Sequence, residues 1–215
     1  MKYILIHGLG QKFSSWNETI SYMVNKQNAI CPDLSSYIND ENKTYLSLYN
    51  KFSKYCDSNL EPLNLCGLSL GAVLALNYAI DNPTKVQSLV LIAGQYRMSK
   101  VLLRLQNIVF RFIPEKSFES IGMDRKGFIE LTNSMMNLNF NQELKKVSCP
   151  VLLICGEKDI VNIKATKKLA EIMPESEMFF VKNAKHEVNI DNPKELAEII
   201  NDFYSRRLPI EMDLL

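Results

Sequence analysis

A chain of 215 residues with 25 lysines and arginines against 24 aspartates and glutamates has a formal charge of +1, and these charges form no basic or acidic block. That balance excludes the electrostatic signature of a nucleic-acid-binding protein or of a protein held on an anionic membrane surface, and it suits a small-molecule partner. The length fits one domain with at most a small insertion.

The five cysteines are an odd set without C-x-x-C spacing, which indicates buried thiols in a reducing compartment. The first apolar run is too short for a signal peptide or a membrane span, so we expect a cytoplasmic protein with no membrane-spanning segment. Only two histidines are present, far apart in sequence, so a zinc site is not expected.

The first predicted strand, residues 3–6, delivers His7-Gly8-Leu9-Gly10 to a loop at its carboxyl end. Ligands bind at that end of the strands in open parallel sheets. A helix is predicted over residues 17–25, with Asn17 as its cap, and residues 29–31 are another short apolar stretch.

Residues 39–54 are polar with an apolar residue every three or four positions, which predicts an amphipathic helix packed on the sheet. The apolar positions are Tyr45, Leu48, Tyr49 and Phe52.

Residues 63–76 are the stretch on which the functional interpretation depends. They predict a short buried strand, a G-x-S-x-G turn that carries Ser69, and a helix. Gly67 and Gly71 remove side chains that would collide in a sharp strand-to-helix turn. The Ser69 hydroxyl would then project above the sheet, beside the amide of Leu70 at a helix N-terminus, where an oxyanion can be bound.

The alternation of strand and helix breaks between residues 95 and 148. Two helices are predicted there, over residues 101–113 and 128–140. About fifty residues between two strands exceed an ordinary connection, so we expect a helical cap at 95–148 inserted into a core formed by 1–94 and 149–215. The flanking core elements are strands at 86–93, 150–155 and 177–181 and helices at 163–173 and 193–206.

Three loops at the carboxyl ends of predicted strands carry Ser69, Asp159 and His186. A serine hydroxyl needs a neutral imidazole to take its proton, and the imidazole needs an anion to fix its tautomer. Taken singly, Asp159 could be a helix cap and His186 a surface-loop histidine. Together, the order nucleophile, acid, base is that of the α/β-hydrolase triad.

The glycine loop after the first strand supplies the second half of an oxyanion site. We assign its two donors to the amides of Leu9 and Leu70. His7 is expected to brace this loop by hydrogen bonds rather than to act as the base.

These motifs together resemble those of the α/β-hydrolase superfamily, in its small single-domain branch with a helical cap. They are His7-Gly8-Leu9-Gly10 through Trp16, Gly67-Leu68-Ser69-Leu70-Gly71, Gly156-Glu157-Lys158-Asp159 and Lys185-His186-Glu187. The resemblance implies an α/β fold with a mostly parallel sheet flanked by helices. It also places Gly8 and Trp16 with Leu9 and Leu70 among the residues that bind the substrate.

The sequence departs from the family pattern in two places. It starts at the strand that leads to the oxyanion loop, so the first two strands of the family are not expected. Residues 31–37 also lack the glycine-histidine-glycine that usually follows an Asp-Leu pair. The second departure changes the wall of the pocket and therefore bears on the substrate.

Three functions fit this pattern. The leading one is a cofactor-free serine hydrolase that cleaves carboxylic esters or thioesters through an acyl-enzyme, with an apolar acyl pocket under the cap. A second is a lyase or carbon–carbon hydrolase of the 2-succinyl-6-hydroxy-2,4-cyclohexadiene-1-carboxylate synthase type, with Arg97 or Arg104 on a substrate carboxylate. A third is a ligand-binding member of the fold with slow turnover. No feature of the sequence points to a particular oligomeric state.

Overall fold

The computed structural model describes residues 1–38, 42–119 and 124–207. Its strands are β1 Lys2–Ile6, β2 Ala29–Ile30, β3 Leu63–Leu68, β4 Val86–Ile92, β5 Val151–Gly156 and β6 Glu177–Val181. They form one sheet in the order β2-β1-β3-β4-β5-β6, and each neighbouring pair is parallel. The predicted α/β class with a parallel sheet is confirmed.

The helices lie between and beyond these strands. They are α1 Asn17–Tyr22, α2 Ser35–Ile38, α3 Tyr45–Asp57, α4 Leu70–Asp81, α5 Lys100–Phe110, α6 Glu115–Glu119, α7 Arg125–Met135, α8 Ile160–Ile172, α9 Val188–Asp191 and α10 Pro193–Arg207. Within the described ranges, none of these helices combines the length and the apolar character needed to cross a bilayer.

Two hydrophobic layers cover the two faces of the sheet, because successive residues of a strand point to opposite faces. One layer joins Ile4 and Leu65 to α3 and α4, and the other joins Leu5 and Cys66 to α10. Every residue of β3 is buried. Such continuous burial is typical of a central parallel strand with helices on both sides.

Several helix boundaries differ from the sequence prediction; for example, α1 ends at Tyr22 and α7 at Met135, earlier than predicted. Two of the differences have a local explanation. Asn17 is not the cap of α1, because a 3-10 helix at Phe13–Trp16 runs directly into it and makes Asn17 the first residue of α1. The predicted helix at 39–54 begins at Tyr45 in the structure, where the Thr44 side chain accepts a hydrogen bond from the amide of Ser47. Residues 39–41 of that prediction lie outside the described part of the chain.

The segment between β4 and β5, called the insertion below, contains α5, α6 and α7, of which α6 was not predicted. Its assignment as a separate helical cap stays a prediction. The two ends of the insertion are joined by an antiparallel bridge between Arg97 and Asn139. Beside this bridge, the amide of Met98 donates to the carbonyl of Leu138 at 3.0 Å. The insertion therefore leaves and re-enters the core at one narrow stem.

All five cysteines are free thiols, and Cys56, Cys66 and Cys155 are buried. Burial raises the pKa of Cys155 to about 11. Buried neutral thiols of this kind behave as small apolar side chains, as the cysteine pattern predicted.

Candidate active site

Ser69 lies between the end of β3 and the start of α4, with φ +52° and ψ −111°. A positive φ in a residue other than glycine costs of the order of 1–3 kcal/mol and persists only where the surroundings impose it. The Ser69 amide donates to the carbonyl of Ile92 on β4 at 2.9 Å, which helps to hold this conformation. The predicted sharp strand-to-helix turn is present, and its backbone is strained at Ser69.

Gly67 and Gly71 are required by close approach. A Cβ atom at Gly67 would overlap the backbone carbonyl of Gly71, and one at Gly71 would overlap the carbonyl of Ile6 on β1. The first residues of α4 can therefore pack directly on two strands, which presents Ser69 at the carboxyl edge of the sheet.

Gly156 allows a similar close contact between the loop after β5 and the loop after β6. A Cβ atom there would overlap the backbone carbonyls of Ala184 and Lys185, and the amide of Lys158 donates to the carbonyl of Ala184 at 2.8 Å. The loop that follows β6 therefore lies against the loop that follows β5. This contact brings His186 beside Asp159.

His186 Nδ1 lies 2.8 Å from Asp159 Oδ2. Because a carboxylate only accepts, Nδ1 carries the proton of this hydrogen bond, and Nε2 is the ring nitrogen left to face a substrate or a nucleophile. The Asp159 side chain is 6% exposed and that of His186 is 44% exposed. A buried carboxylate thus holds a ring that can still reach the cavity.

Asn162 is a member of this cluster that sequence reasoning missed. Its Nδ2 lies 3.0 and 2.8 Å from the two carboxylate oxygens of Asp159, and its Oδ1 accepts from Gln95 Nε2 at 2.9 Å. Burial opposes ionisation of Asp159, but the hydrogen bonds from His186 and Asn162 outweigh it and lower the pKa of this carboxyl. Asn162 therefore helps to keep Asp159 charged.

Asp159 also caps α8, since its side chain accepts from the backbone amide of Asn162. The helix-cap interpretation of Asp159 is thus correct, and its catalytic role stays a prediction. Asn162 leaves only a weak signal in the sequence, an amide residue at the third position of a helix that follows an aspartate.

Ser69, Asp159 and His186 line one cavity of about 530 Å³. Its described wall is mostly apolar and is shared between the core and the insertion. The apolar lining residues are Leu9, Leu70, Val73, Ala93, Met98, Leu103, Met135 and Val161, and the other polar ones are Gln95, Ser99, Thr132 and Asn162. Among these described lining residues there is no lysine or arginine.

The two arginines considered for a substrate carboxylate lie elsewhere. Arg97 lines a neighbouring cavity of about 560 Å³ together with Lys100, and Arg104 is exposed on α5. The two cavities share only Met98 and Ser99 among their described lining residues.

The residues expected around the oxyanion separate into two groups. Leu9 and Leu70 both line the cavity, and the amide of Leu70 is in the first turn of α4, where amides have no partner within the helix. The amide of Gly8, by contrast, donates to Gln11 Oε1 at 3.2 Å and is already occupied. Trp16 is 0% exposed within the core layer that contains α10, so it forms no wall of the cavity.

His7 braces the glycine loop as predicted. Its Nε2 accepts from the amide of Leu34 at 3.1 Å, and its Nδ1 then carries a proton and donates to the carbonyl of Gly8 at 2.9 Å. Burial lowers the pKa of His7, so the neutral ring is favoured.

The fold and this site together define a class. A family model described as the alpha/beta hydrolase fold matches residues 4–121, more than half of the chain. The chain belongs to the α/β-hydrolase family, and the prediction of an enzyme of this family is confirmed.

Relatives and solved structures agree with this assignment. Monoacylglycerol lipase ABHD6 of Mus musculus is 20% identical, and the match covers 93% of this chain and 74% of that protein. A structure from a study of carboxylesterases of Nitrososphaera gargenis superposes with a TM-score of 0.79 at 20% identity, covering 95% of this chain and 90% of the other. The enol-lactonase of Burkholderia xenovorans LB400 superposes with a TM-score of 0.80 at 15% identity, covering 95% and 91%.

Proposed function

We propose that this protein is a carboxylic ester hydrolase that works through Ser69, His186 and Asp159. The observation that carries the proposal is that these three side chains line one cavity, with the imidazole of His186 hydrogen-bonded to the carboxylate of Asp159 at 2.8 Å. The esterases and lipases among the relatives support the same chemistry.

In this mechanism Ser69 Oγ attacks the carbonyl carbon of the ester while His186 Nε2 takes the hydroxyl proton. Asp159 accepts the Nδ1 hydrogen bond and stabilises the imidazolium that forms. The amides of Leu9 and Leu70 bind the oxyanion, and one such donor is worth about 2.7–4 kcal/mol of transition-state stabilisation. Collapse expels the alcohol or thiol, which takes the proton from His186, and water then hydrolyses the acyl-enzyme by the same steps.

The lining of the cavity favours an uncharged, apolar acyl group. Val73, Met98, Leu103 and Met135 provide apolar surface beside Ser69, and no cation is present among the described lining residues. A lyase or carbon–carbon hydrolase acting on a dicarboxylate would need a cation on this wall, and neither Arg97 nor Arg104 is among the described lining residues. The cavity therefore supports ester or thioester cleavage over that alternative.

The test is hydrolysis of p-nitrophenyl acyl esters of graded chain length by the wild type and by Ser69→Ala. We expect Ser69→Ala to lose about 10⁴–10⁶ of kcat, while Ser205→Ala, a change on the exposed face of α10, stays within twofold. Equal turnover by the wild type and Ser69→Ala would overturn the proposal.

Labelling by a fluorophosphonate separates this function from slow-turnover ligand binding. We expect rapid labelling that maps to Ser69 and is lost in Ser69→Ala. A wild type that remains unlabelled would favour the binding function.

A further inference from the structure

Two amide side chains without a role in the mechanism above are buried between the loops that carry it. Gln11 follows the glycine loop after β1 and is 6% exposed, and Asn189 follows His186 by three residues and is 0% exposed. Buried amides lose much of their hydration, so they are retained only when their hydrogen bonds are made.

Gln11 makes four such bonds. Its Nε2 donates to Glu187 Oε1 and to Asn189 Oδ1, both at 3.0 Å. Its Oε1 accepts from the amide of Gly8 at 3.2 Å and from Asn189 Nδ2 at 3.3 Å. Both donors and both acceptor sites of the Gln11 amide are therefore used.

The Asn189 side chain makes three hydrogen bonds, two of them with Gln11. The third is the bond from its Nδ2 to the backbone carbonyl of Ser15 at 3.1 Å. The backbone carbonyl of Asn189 in addition accepts from the hydroxyl of Thr19 at 3.3 Å. The orientation of each amide follows from its partners, because the Glu187 carboxylate and the Ser15 carbonyl only accept, whereas the Gly8 amide only donates.

The network joins two loops that are far apart in sequence. Gln11 and Asn189 are separated by 178 positions. On one side, Gln11 holds the amide of Gly8, the neighbour of Leu9. On the other side, Gln11 holds Glu187, the residue after His186, and Asn189, which lies in the first turn of α9.

We infer that Gln11 and Asn189 are positioning residues that hold the base and the oxyanion loop in register with each other. The inference rests on the proposed ester hydrolysis. His186 Nε2 and the Leu9 amide must serve the same reacting group, and a misplacement of about 1 Å between such groups costs about 100-fold in rate. The buried amide pair is a direct side-chain connection between the two loops, and it can set this distance.

The first test is the steady-state kinetics of Gln11→Ala and Asn189→Ala on a p-nitrophenyl ester, well below the unfolding temperature. We expect each variant to lose about 30- to 100-fold in kcat, with KM changed less than threefold. Because the two side chains act as one unit, the kcat of the double variant should be within about twofold of the kcat of the slower single variant.

Asn192→Ala is the matched control. Asn192 lies in the same region of the chain but donates to the carbonyl of Lys182 and to Glu195, on the side of α10 and away from the glycine loop. We expect its kcat to stay within threefold of the wild type even if its melting temperature falls. An equal loss of kcat in Asn192→Ala would mean that any weakening of this region slows the enzyme, and would overturn the inference.

A charge exchange tests the specific bond between positions 11 and 187. Gln11→Glu places two carboxylates together and also removes the donor to Asn189 Oδ1. Gln11→Glu with Glu187→Gln leaves the second change in place and restores a donor opposite an acceptor between positions 11 and 187 only. We expect the double variant to recover at least tenfold in kcat over Gln11→Glu alone. No recovery would count against a positioning role for this bond.

Hydrogen exchange separates a failure of this inference from a failure of the proposed function. Asn189→Ala should speed amide exchange at residues 8–11, and Gln11→Ala should speed it at residues 187–190. If the wild type has no Ser69-dependent hydrolysis, the proposed function fails, and with it the catalytic meaning of the network. If hydrolysis is present but both variants keep kcat within twofold and show unchanged exchange in the opposite loop, only the positioning role is overturned.

Discussion

Asp159 shows how one residue can serve the helix and the site at the same time. One of its oxygens accepts from the amide of Asn162 and caps α8, and the other accepts from His186. A cap requires only an acceptor, which asparagine also provides. Orientation and charge compensation of an imidazole require a carboxylate.

Asp159→Asn separates these two roles. We expect it to lower kcat by about 10⁴-fold, because the amide does not stabilise the imidazolium and can impose the wrong tautomer. We expect its free energy of unfolding to fall by only about 1–3 kcal/mol, because the cap is kept while an amide nitrogen replaces one buried acceptor of the Asn162 and His186 hydrogen bonds. Kinetics and urea unfolding of the same preparation measure both quantities. A variant with wild-type kcat would remove Asp159 from the mechanism.

At the level of elements, the site depends on how closely α4 approaches the sheet. Gly71, in the first turn of α4, leaves no room for a side chain against the carbonyl of Ile6 at the end of β1. The contact joins the strand that carries the glycine loop to the helix that follows Ser69. One pair of elements therefore places both proposed oxyanion donors, Leu9 and Leu70.

Gly71→Ala should destabilise the protein by about 1–3 kcal/mol or more, because the added methyl group forces α4 away from β1. Gly8→Ala is the matched control for stability, since its Cβ atom would lie 3.5 Å from the carbonyl of Leu68 at ordinary contact distance. Its unfolding free energy should stay within about 1 kcal/mol of the wild type. Urea unfolding compares the two, and equal stabilities would show that α4 can shift freely.

For the molecule as a whole, one edge of the parallel sheet carries the loops that form the site. The carboxyl ends of β1, β3, β5 and β6 lie on one edge, and each is followed by a loop that contributes to the site. The hydrogen bonds of His7 extend this edge to the loop before α2, because the ring connects Gly8 with Leu34. That arrangement needs a neutral ring, which couples global stability to pH.

The folded protein holds the pKa of His7 below the ordinary value of 6.5, chiefly because burial disfavours the charged ring. At a pH between the folded and the unfolded pKa of His7, the unfolded chain binds more protons than the folded protein. The contribution of His7 to stability is therefore complete above about pH 6.5, and it is lost as the pH falls from there toward the folded pKa. We expect His7→Gln to show a shallower loss of stability between pH 6.5 and pH 5, measured by urea unfolding. Identical slopes in the two proteins would contradict this.

Local patterns in the sequence predicted most of the elements and the three candidate catalytic residues. β6 begins and ends where the apolar run at 177–181 indicated. Ser69 and Asp159 follow the buried strands β3 and β5, and His186 follows the partly exposed edge strand β6. These features were predictable because apolar periodicity and turn glycines act over a few neighbouring positions. The tertiary structure decided what depends on distant contacts. The bond between Gln11 and Asn189, the support of Asp159 by Asn162 and Gln95, and the burial of Trp16 away from the cavity all arise where loops from different strands meet. A hydrogen bond across 178 positions leaves no periodic trace in the sequence, since only the packing of the sheet and its helices brings its two ends together.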